Sequence, residues 1–304
     1  MTDDAFSDDY RGRFAPSPTG PLHLGSLLAA CASWADARAS AGQWLLRIED
    51  LDPPREQSGA DRLIIDLLAA VGWNSDEPIL FQSERHAAYA DALSFLLDSG
   101  QAFECRCSRS DLAPAGGIHR GACVGGASTR AAAIRLRVAD IDIGFEDRIQ
   151  GYYTQNLLRD VGDFVLRRAD GPFAYQLAVV VDDGFQRISD VVRGSDLIDS
   201  TPRQIYLQQC LGLPTPRYAH VPVLIGADGQ KLSKQNLAPA VAADQVATLL
   251  PEIAMLLGQQ PLSGGPLPEQ LRELVFQWDI GRVPRQMAIA ACDAAIRFAR
   301  SKTT

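Results

Sequence analysis

The stretch Arg11-Gly-Arg-Phe-Ala-Pro-Ser-Pro-Thr-Gly-Pro-Leu-His-Leu-Gly-Ser26 decides how this chain folds. It reads as an extended strand over 11–14, a proline-stiffened turn, and a helix that opens at His23. A helix N-terminus presents unpaired backbone N–H groups and a partial positive charge, and Gly25 lets a ligand come close. The segment is therefore a candidate site for nucleotide phosphate. A rigid loop with a helix-capping histidine would carry the same residues.

Working outward, the pattern predicts a helix to about 41, a strand over 44–49, a helix over about 57–71, a short strand at 79–81 and a helix over 84–98. Strand and helix alternating at this spacing make a parallel sheet covered by helices, which binds ligands at the carboxyl ends of its strands. The periodicity breaks between about 105 and 160, a glycine-rich stretch with a strand-like run at 133–138. It returns with 163–168, a helix-like 176–181, a strand at 187–192, a helix over about 201–211 and a strand at 221–224. Such a sheet, interrupted and resumed, suggests an insertion between two halves of one nucleotide-binding fold. From Ala238 onward only helical patterns are visible, separated by a loop at 260–268.

Composition sets the outer limits. With 304 residues, 46% of them hydrophobic and 22% charged, the chain can bury a full core, and it is neither disordered nor fibrous. No apolar run approaches the roughly 18 residues of a membrane span. The segment from Met1 to Asp9 has four Asp and no Lys or Arg, unlike a signal or transit peptide, so a cytoplasmic protein with no membrane partner is expected. A formal charge of −8 argues against non-specific nucleic-acid binding, although 270–304 carries a local excess of +3 from Arg272, Arg282, Arg285, Arg297, Arg300 and Lys302. That excess suits a solvated helix face as well as an RNA contact.

The six cysteines divide in two. Cys31, Cys210 and Cys292 sit apart in apolar helical contexts, where a cysteine acts as a small hydrophobe. Cys105-x-Cys107-x11-His119-x3-Cys123 offers three thiolates and an imidazole, a complete tetrahedral set for structural Zn2+, with glycines between the ligand pairs to let the chain fold back. Further along, Gly229-Gln-Lys-Leu-Ser-Lys-Gln235 is a loop with two lysines three apart, suited to placing cations on triphosphate oxygens.

Together these segments resemble the class I aminoacyl-tRNA synthetases. His23-Leu-Gly-Ser26 matches the HIGH signature, with Ser26 in place of its final His; Lys231-Leu-Ser-Lys-Gln235 matches KMSKS, with Leu232 and Gln235 in place of Met and Ser. Phe14-Ala-Pro-Ser-Pro-Thr-Gly20, Arg47-Ile-Glu-Asp-Leu-Asp52 and Asp190-Val-Val-Arg-Gly-Ser-Asp196 are similar to the glutamyl branch, and the match runs in order over about 11–240. The resemblance implies His23 and Lys234 as catalytic groups and His23, Gly25, Lys231, Ser233 and Lys234 around ATP, with Mg2+ on the phosphates. It implies Arg13, Phe14, Ala15, Pro16, Ser17, Glu49, Tyr175 and Arg193 around L-glutamate, Glu49 taking the ammonium and Arg193 the side-chain carboxylate. Such a division suits the ligand, since one ammonium and two carboxylates call for an acid and guanidinium groups.

The zinc set and the short stretch after the KMSKS-like loop, about 70 residues here, resemble the glutamyl-queuosine branch. That branch is a truncated paralogue whose fourth zinc ligand is often Tyr, where this chain has His119. It activates glutamate without tRNA and then esterifies queuosine at the wobble position of tRNA(Asp). The implied partners are L-glutamate, ATP and the tRNA(Asp) anticodon loop carrying queuosine, with a monomer expected. A small-molecule nucleotidyltransferase, a non-enzymatic amino-acid sensor and a short glutamyl-tRNA synthetase charging the tRNA 3′ end share parts of the pattern. The expected architecture is α/β: a Rossmann-type parallel-sheet catalytic domain from 1–104 and 161–237, a zinc-bearing insertion at 105–160, and a short helical C-terminal region at 238–304.

Overall fold

The computed structural model describes residues 9–124, 129–226 and 240–291. Strand β1 (Arg11–Phe14) leads into α1 (Leu24–Ala39), followed by β2 (Gln43–Ile48), α2 (Ala60–Ala70), β3 (Leu80–Phe81) and α3 (His86–Asp98). Next come β4 (Ala102–Cys105), a one-turn α4 (Arg109–Leu112), β5 (Ala133–Leu136), β6 (Asp142–Asp147), β7 (Gly151–Asn156) and β8 (Phe164–Arg167). The second half holds α5 (Tyr175–Phe185), β9 (Asp190–Gly194), α6 (Thr201–Leu211), β10 (Arg217–Val221), β11 (Val223–Ile225), α7 (Ala243–Leu256), α8 (Leu267–Gln277) and β12 (Ala288–Ala290).

The main sheet has seven strands in the order β3-β2-β1-β9-β10-β6-β7, parallel except for β7. The chain winds from β1 through β2 to β3 on one side, then returns to add β9 and β10 on the other. The direction of winding therefore reverses between β1 and β9, where the crevice of such a sheet opens. Parallel strands covered on both faces need unbroken apolar runs, and Trp44, Leu45, Leu46 and Ile48 of β2 are all buried. Helix α1 is apolar nearly all round for the same reason, with Leu27, Leu28, Ala30, Cys31, Ala32, Ala35 and Ala37 inaccessible to solvent or nearly so. Burial pushes the Cys31 thiol pKa up, leaving it a packing residue. Cys210 is only partly buried, and Cys292 lies outside the described residues.

Several elements differ from the sequence pattern. The run at 163–168 forms β8, which pairs antiparallel with β5 in a separate three-stranded sheet β4-β5-β8 rather than resuming the main sheet. Within the periodicity break lies the hairpin β6–β7, which extends the main sheet beside β10. In the C-terminal region α7 and α8 are helices as expected, but β12 is a strand, pairing with β11. The expected strand at 221–224 begins four residues earlier, and Pro222 divides it into β10 and β11. No helix among the described residues is long and apolar enough to cross a membrane.

Candidate active site

A cavity of about 760 Å³ opens at the carboxyl ends of β1, β2, β9 and β10. Its lining includes Arg13, Phe14, Ala15, Pro16, Ser17, His23, Gly25, Glu49, Tyr175 and Arg193, so every expected glutamate-site residue meets there beside the start of α1. Lys231, Ser233 and Lys234 lie outside the described residues, as do Arg297, Arg300 and Lys302.

His23 is the N-cap of α1. Its Nδ1 accepts the Ser26 backbone N–H at 3.3 Å, which assigns the ring proton to Nε2, 3.0 Å from the Ser26 hydroxyl. Ser26, the departure from the HIGH pattern, thus holds the first histidine in place.

The floor of the cavity is a charge lattice. Asp183 on α5 receives Arg13 Nε at 3.2 Å and Arg47 Nη2 at 2.8 Å, and Arg47 reaches Glu49 at 3.5 Å. Burial acts to raise the Asp183 pKa, but the two guanidinium groups outweigh it and hold the carboxyl below its ordinary value. Burial wins at Glu49, whose carboxyl lies above its ordinary value despite Arg47 and Arg13. A cation placed beside Glu49 would stabilise its charged form.

Arg193, at the end of β9, is different. It is 5% exposed, and no carboxylate among the described residues lies within ion-pair distance of it. Its Nε faces His220 Nε2 at 3.0 Å, its Nη2 donates to Thr201 Oγ1 at 2.8 Å and to the Leu197 carbonyl at 3.3 Å, and its Nη1 meets the Tyr175 hydroxyl at 3.4 Å. All these partners are neutral acceptors. A buried cation so placed is costly until an anion joins it.

The second cluster lies where β4 ends. The ligand atoms of Cys105, Cys107, His119 and Cys123 all fall within 4.8 Å of one another. Sγ of Cys123 is 3.3 Å from that of Cys107 and 3.7 Å from that of Cys105, far beyond a disulfide and close to the edge of about 3.8 Å spanned by thiolates at tetrahedral zinc distance. His119 Nδ1 bonds Asp163 Oδ2 at 2.7 Å, whereas its buried Nε2 has no hydrogen-bond partner among the described residues. A carboxylate-oriented imidazole with a free inner nitrogen is the donor arrangement a metal requires. The residues fit a zinc ion, and all four tetrahedral positions would be protein ligands. Gly162 makes the local fold possible: its φ is +70° and an added Cβ would stand 2.2 Å from the His119 carbonyl oxygen.

Sequence reasoning missed Asp147, Asp163, Asp183 and His220. His220 is one of only four histidines, which was the one available signal; the aspartates stand among many acids.

Residues 9–123 and 119–256 match the family described as tRNA synthetases class I (E and Q), catalytic domain. The glutamate tRNA ligase of Elizabethkingia meningosepticum CCUG26117, in complex with its amino acid, shares the fold with a TM-score of 0.79 at 23% identity, over 96% of this chain and 68% of that one. Fold and matched domain together define a class I tRNA synthetase. The glutamyl-Q tRNA(Asp) synthetase of Ectopseudomonas mendocina (strain ymp) is 53% identical over 285 residues, 92% of this chain and 97% of that protein. The protein of that name from Xanthomonas campestris pv. campestris (strain 8004) is 52% identical over 296 residues, 95% of this chain and 97% of its own length. The chain belongs to the glutamyl-Q tRNA(Asp) synthetase family.

Proposed function

We propose that the protein activates L-glutamate with ATP, without tRNA, and transfers the glutamyl group to queuosine at the wobble position of tRNA(Asp). The observation that carries the amino-acid half is Arg193, a buried guanidinium at the cavity wall with no carboxylate in contact among the described residues. Arg13 and Arg47 are matched by Asp183 and Glu49. Arg193 is left to pair with an acidic side chain, and glutamine in its place would leave the charge buried and unpaired. Glu49 takes the α-ammonium, Tyr175 hydrogen-bonds the amino acid, and Arg13 with the 14–17 backbone frames it.

In the first step an oxygen of the glutamate α-carboxylate attacks the α-phosphorus of ATP and pyrophosphate leaves. His23 donates from Nε2 to a phosphate oxygen, Gly25 gives the nucleotide room, and Lys231, Ser233 and Lys234 hold the phosphates, which carry Mg2+. In the second step a hydroxyl of the queuosine diol attacks the acyl carbon, forming the ester and releasing AMP. Cys105, Cys107, His119 and Cys123 would hold structural Zn2+, which ties the end of β4 to the loop before β5. The catalytic lobe is drawn from 1–104 and 161–237, the insertion at 105–160 bears the metal ligands and lends its hairpin β6–β7 to the main sheet, and the C-terminal region is 238–304.

The test is glutamate-dependent exchange of pyrophosphate into ATP with no RNA present, followed by transfer of labelled glutamate to tRNA with and without queuosine. Exchange without tRNA and labelling only of queuosine-bearing tRNA are expected. Strict dependence of exchange on tRNA, or labelling lost when the 3′ adenosine is removed, would sink the proposal and favour charging of the 3′ end.

A further inference from the structure

The Arg193 guanidinium can only donate, so the nitrogen it faces, His220 Nε2, must carry a lone pair. The ring proton therefore sits on Nδ1, which lies 2.6 Å from Asp147 Oδ2. The other oxygen of Asp147 accepts three backbone N–H groups, from Ile149 at 3.0 Å, Gln150 at 2.8 Å and His220 itself at 3.1 Å. The carboxylate is thus held in one orientation by the turn that follows β6. Thr201 completes the frame, its hydroxyl oxygen accepting from Arg193 Nη2 at 2.8 Å and lying 3.3 Å from His220 Nε2. The side chains of Asp147 and His220 are wholly inaccessible to solvent, and neither lines the cavity.

This chain of contacts fixes the guanidinium plane from behind. Nε is taken by His220 and Nη2 by Thr201 and Leu197, so Nη1, beside Tyr175, is the edge left for the cavity. A carboxylate placed directly on Arg193 would have fixed it equally well but occupied the charge. An intervening neutral imidazole orients the cation and leaves it available. Burial pushes the His220 pKa down to about 4, in keeping with a neutral ring.

We propose that Asp147 and His220 are positioning residues for glutamate selection, setting Arg193 for the substrate side-chain carboxylate. This rests on the glutamate reading of the cavity given above. It also gives the hairpin β6–β7 a part in specificity, since β6 brings Asp147 to β10 from a segment between the metal ligands and the second half of the sheet.

Asp147→Asn tests it. The three backbone N–H groups require the amide oxygen at the Oδ1 position, so the amide NH2 faces His220 Nδ1 and the ring proton moves to Nε2, against the Arg193 Nε–H. The variant should raise the glutamate KM about tenfold or more and lower glutamate-over-glutamine selectivity about tenfold in pyrophosphate exchange, with the ATP KM changed less than about twofold. A merely structural loss would lower kcat and affect both substrates alike, and that result, or unchanged selectivity, overturns the positioning role. A wild-type protein that shows no glutamate-dependent exchange overturns the glutamate reading itself, before any variant is made. Independently of how the variant folds, long-range 1H–15N correlation of the wild-type imidazole should show the His220 proton on Nδ1; a proton on Nε2 refutes the proposal.

Discussion

Asp163→Asn changes one oxygen to an NH2 group at a point where the structure allows no neutral outcome. Asp163 is 2% exposed, with Oδ2 bound to His119 Nδ1 at 2.7 Å and Oδ1 accepting the Val138 N–H at 2.8 Å. An asparagine can satisfy only one of these donors. With its carbonyl toward Val138, the NH2 faces His119 Nδ1, and the ring must carry its proton on Nε2, the atom among the three thiols. With its carbonyl toward His119, the NH2 opposes a buried backbone N–H, at a cost of about 1–3 kcal/mol. Either the metal site or the fold bears a penalty of that size. Loss of an orienting partner behind a histidine ligand typically weakens metal binding about 10–100-fold, or roughly 1.4–2.7 kcal/mol. The check is competition for Zn2+ against a chromophoric chelator, together with thermal unfolding of the zinc-loaded protein. Zinc affinity within about twofold of wild type and an unchanged Tm would refute the oriented-imidazole reasoning.

Replacing Arg193 with Leu should raise the glutamate KM by about 10–100-fold, the worth of a charge-assisted hydrogen bond, while the ATP KM stays nearly constant in exchange assays; equal losses would make Arg193 structural. Lys234→Ala should lower the rate of adenylate formation by about 100-fold or more with glutamate affinity kept, as read by stopped flow, because its charge matters most when the phosphorus is five-coordinate. Gly162→Ala, which sets a Cβ 2.2 Å from the His119 carbonyl oxygen at a φ of +70°, should cost about 2 kcal/mol or more in urea unfolding; a change under about 0.5 kcal/mol would contradict the close approach. His220 titrates near 4 when folded against an ordinary 6.5, so the unfolded chain takes up a proton first as pH falls and stability drains away between about 6.5 and 4. Between pH 7 and pH 5 wild type should lose about 2 kcal/mol relative to His220→Gln, and parallel losses in the two would show that His220 is not the group responsible.

What the sequence disclosed was what is local. The strand, proline turn and helix over 11–26 carry their instructions within 16 residues, and α1, β2, α2 and α3 follow from runs whose apolar period matches their burial. The Cys105–Cys123 cluster was legible because its ligands are close in the chain and their chemistry is narrow. The β6–β7 hairpin was not, since Asp142-Ile-Gly-Phe-Glu-Asp147 and Gly151-Tyr-Tyr-Thr-Gln-Asn156 lie at the sheet edge and mix polar with apolar residues. Strand β12 is three residues long and exists through its pairing with β11. Asp147 and His220 are 73 positions apart, so neither is distinguishable from any other acid or histidine until β6 lies against β10.

The histidines show how one side chain serves unlike ends in this molecule. His119 and His220 each give Nδ1–H to a buried aspartate, which fixes the Nε2 lone pair outward, toward three thiols in one case and a guanidinium in the other. His23 has the opposite arrangement: a backbone N–H occupies its Nδ1, so Nε2 carries the proton. An acceptor nitrogen suits a cation or a metal, and a donor nitrogen suits a phosphate oxygen. The partner on Nδ1 therefore sorts the rings by role, and it does so without requiring any of them to be charged. In the proposed reaction this matters most for His220, because a second positive charge against Arg193 would turn the guanidinium away from the substrate carboxylate. The low pKa set by burial keeps that ring neutral at the pH where glutamate carries both of its carboxylate charges.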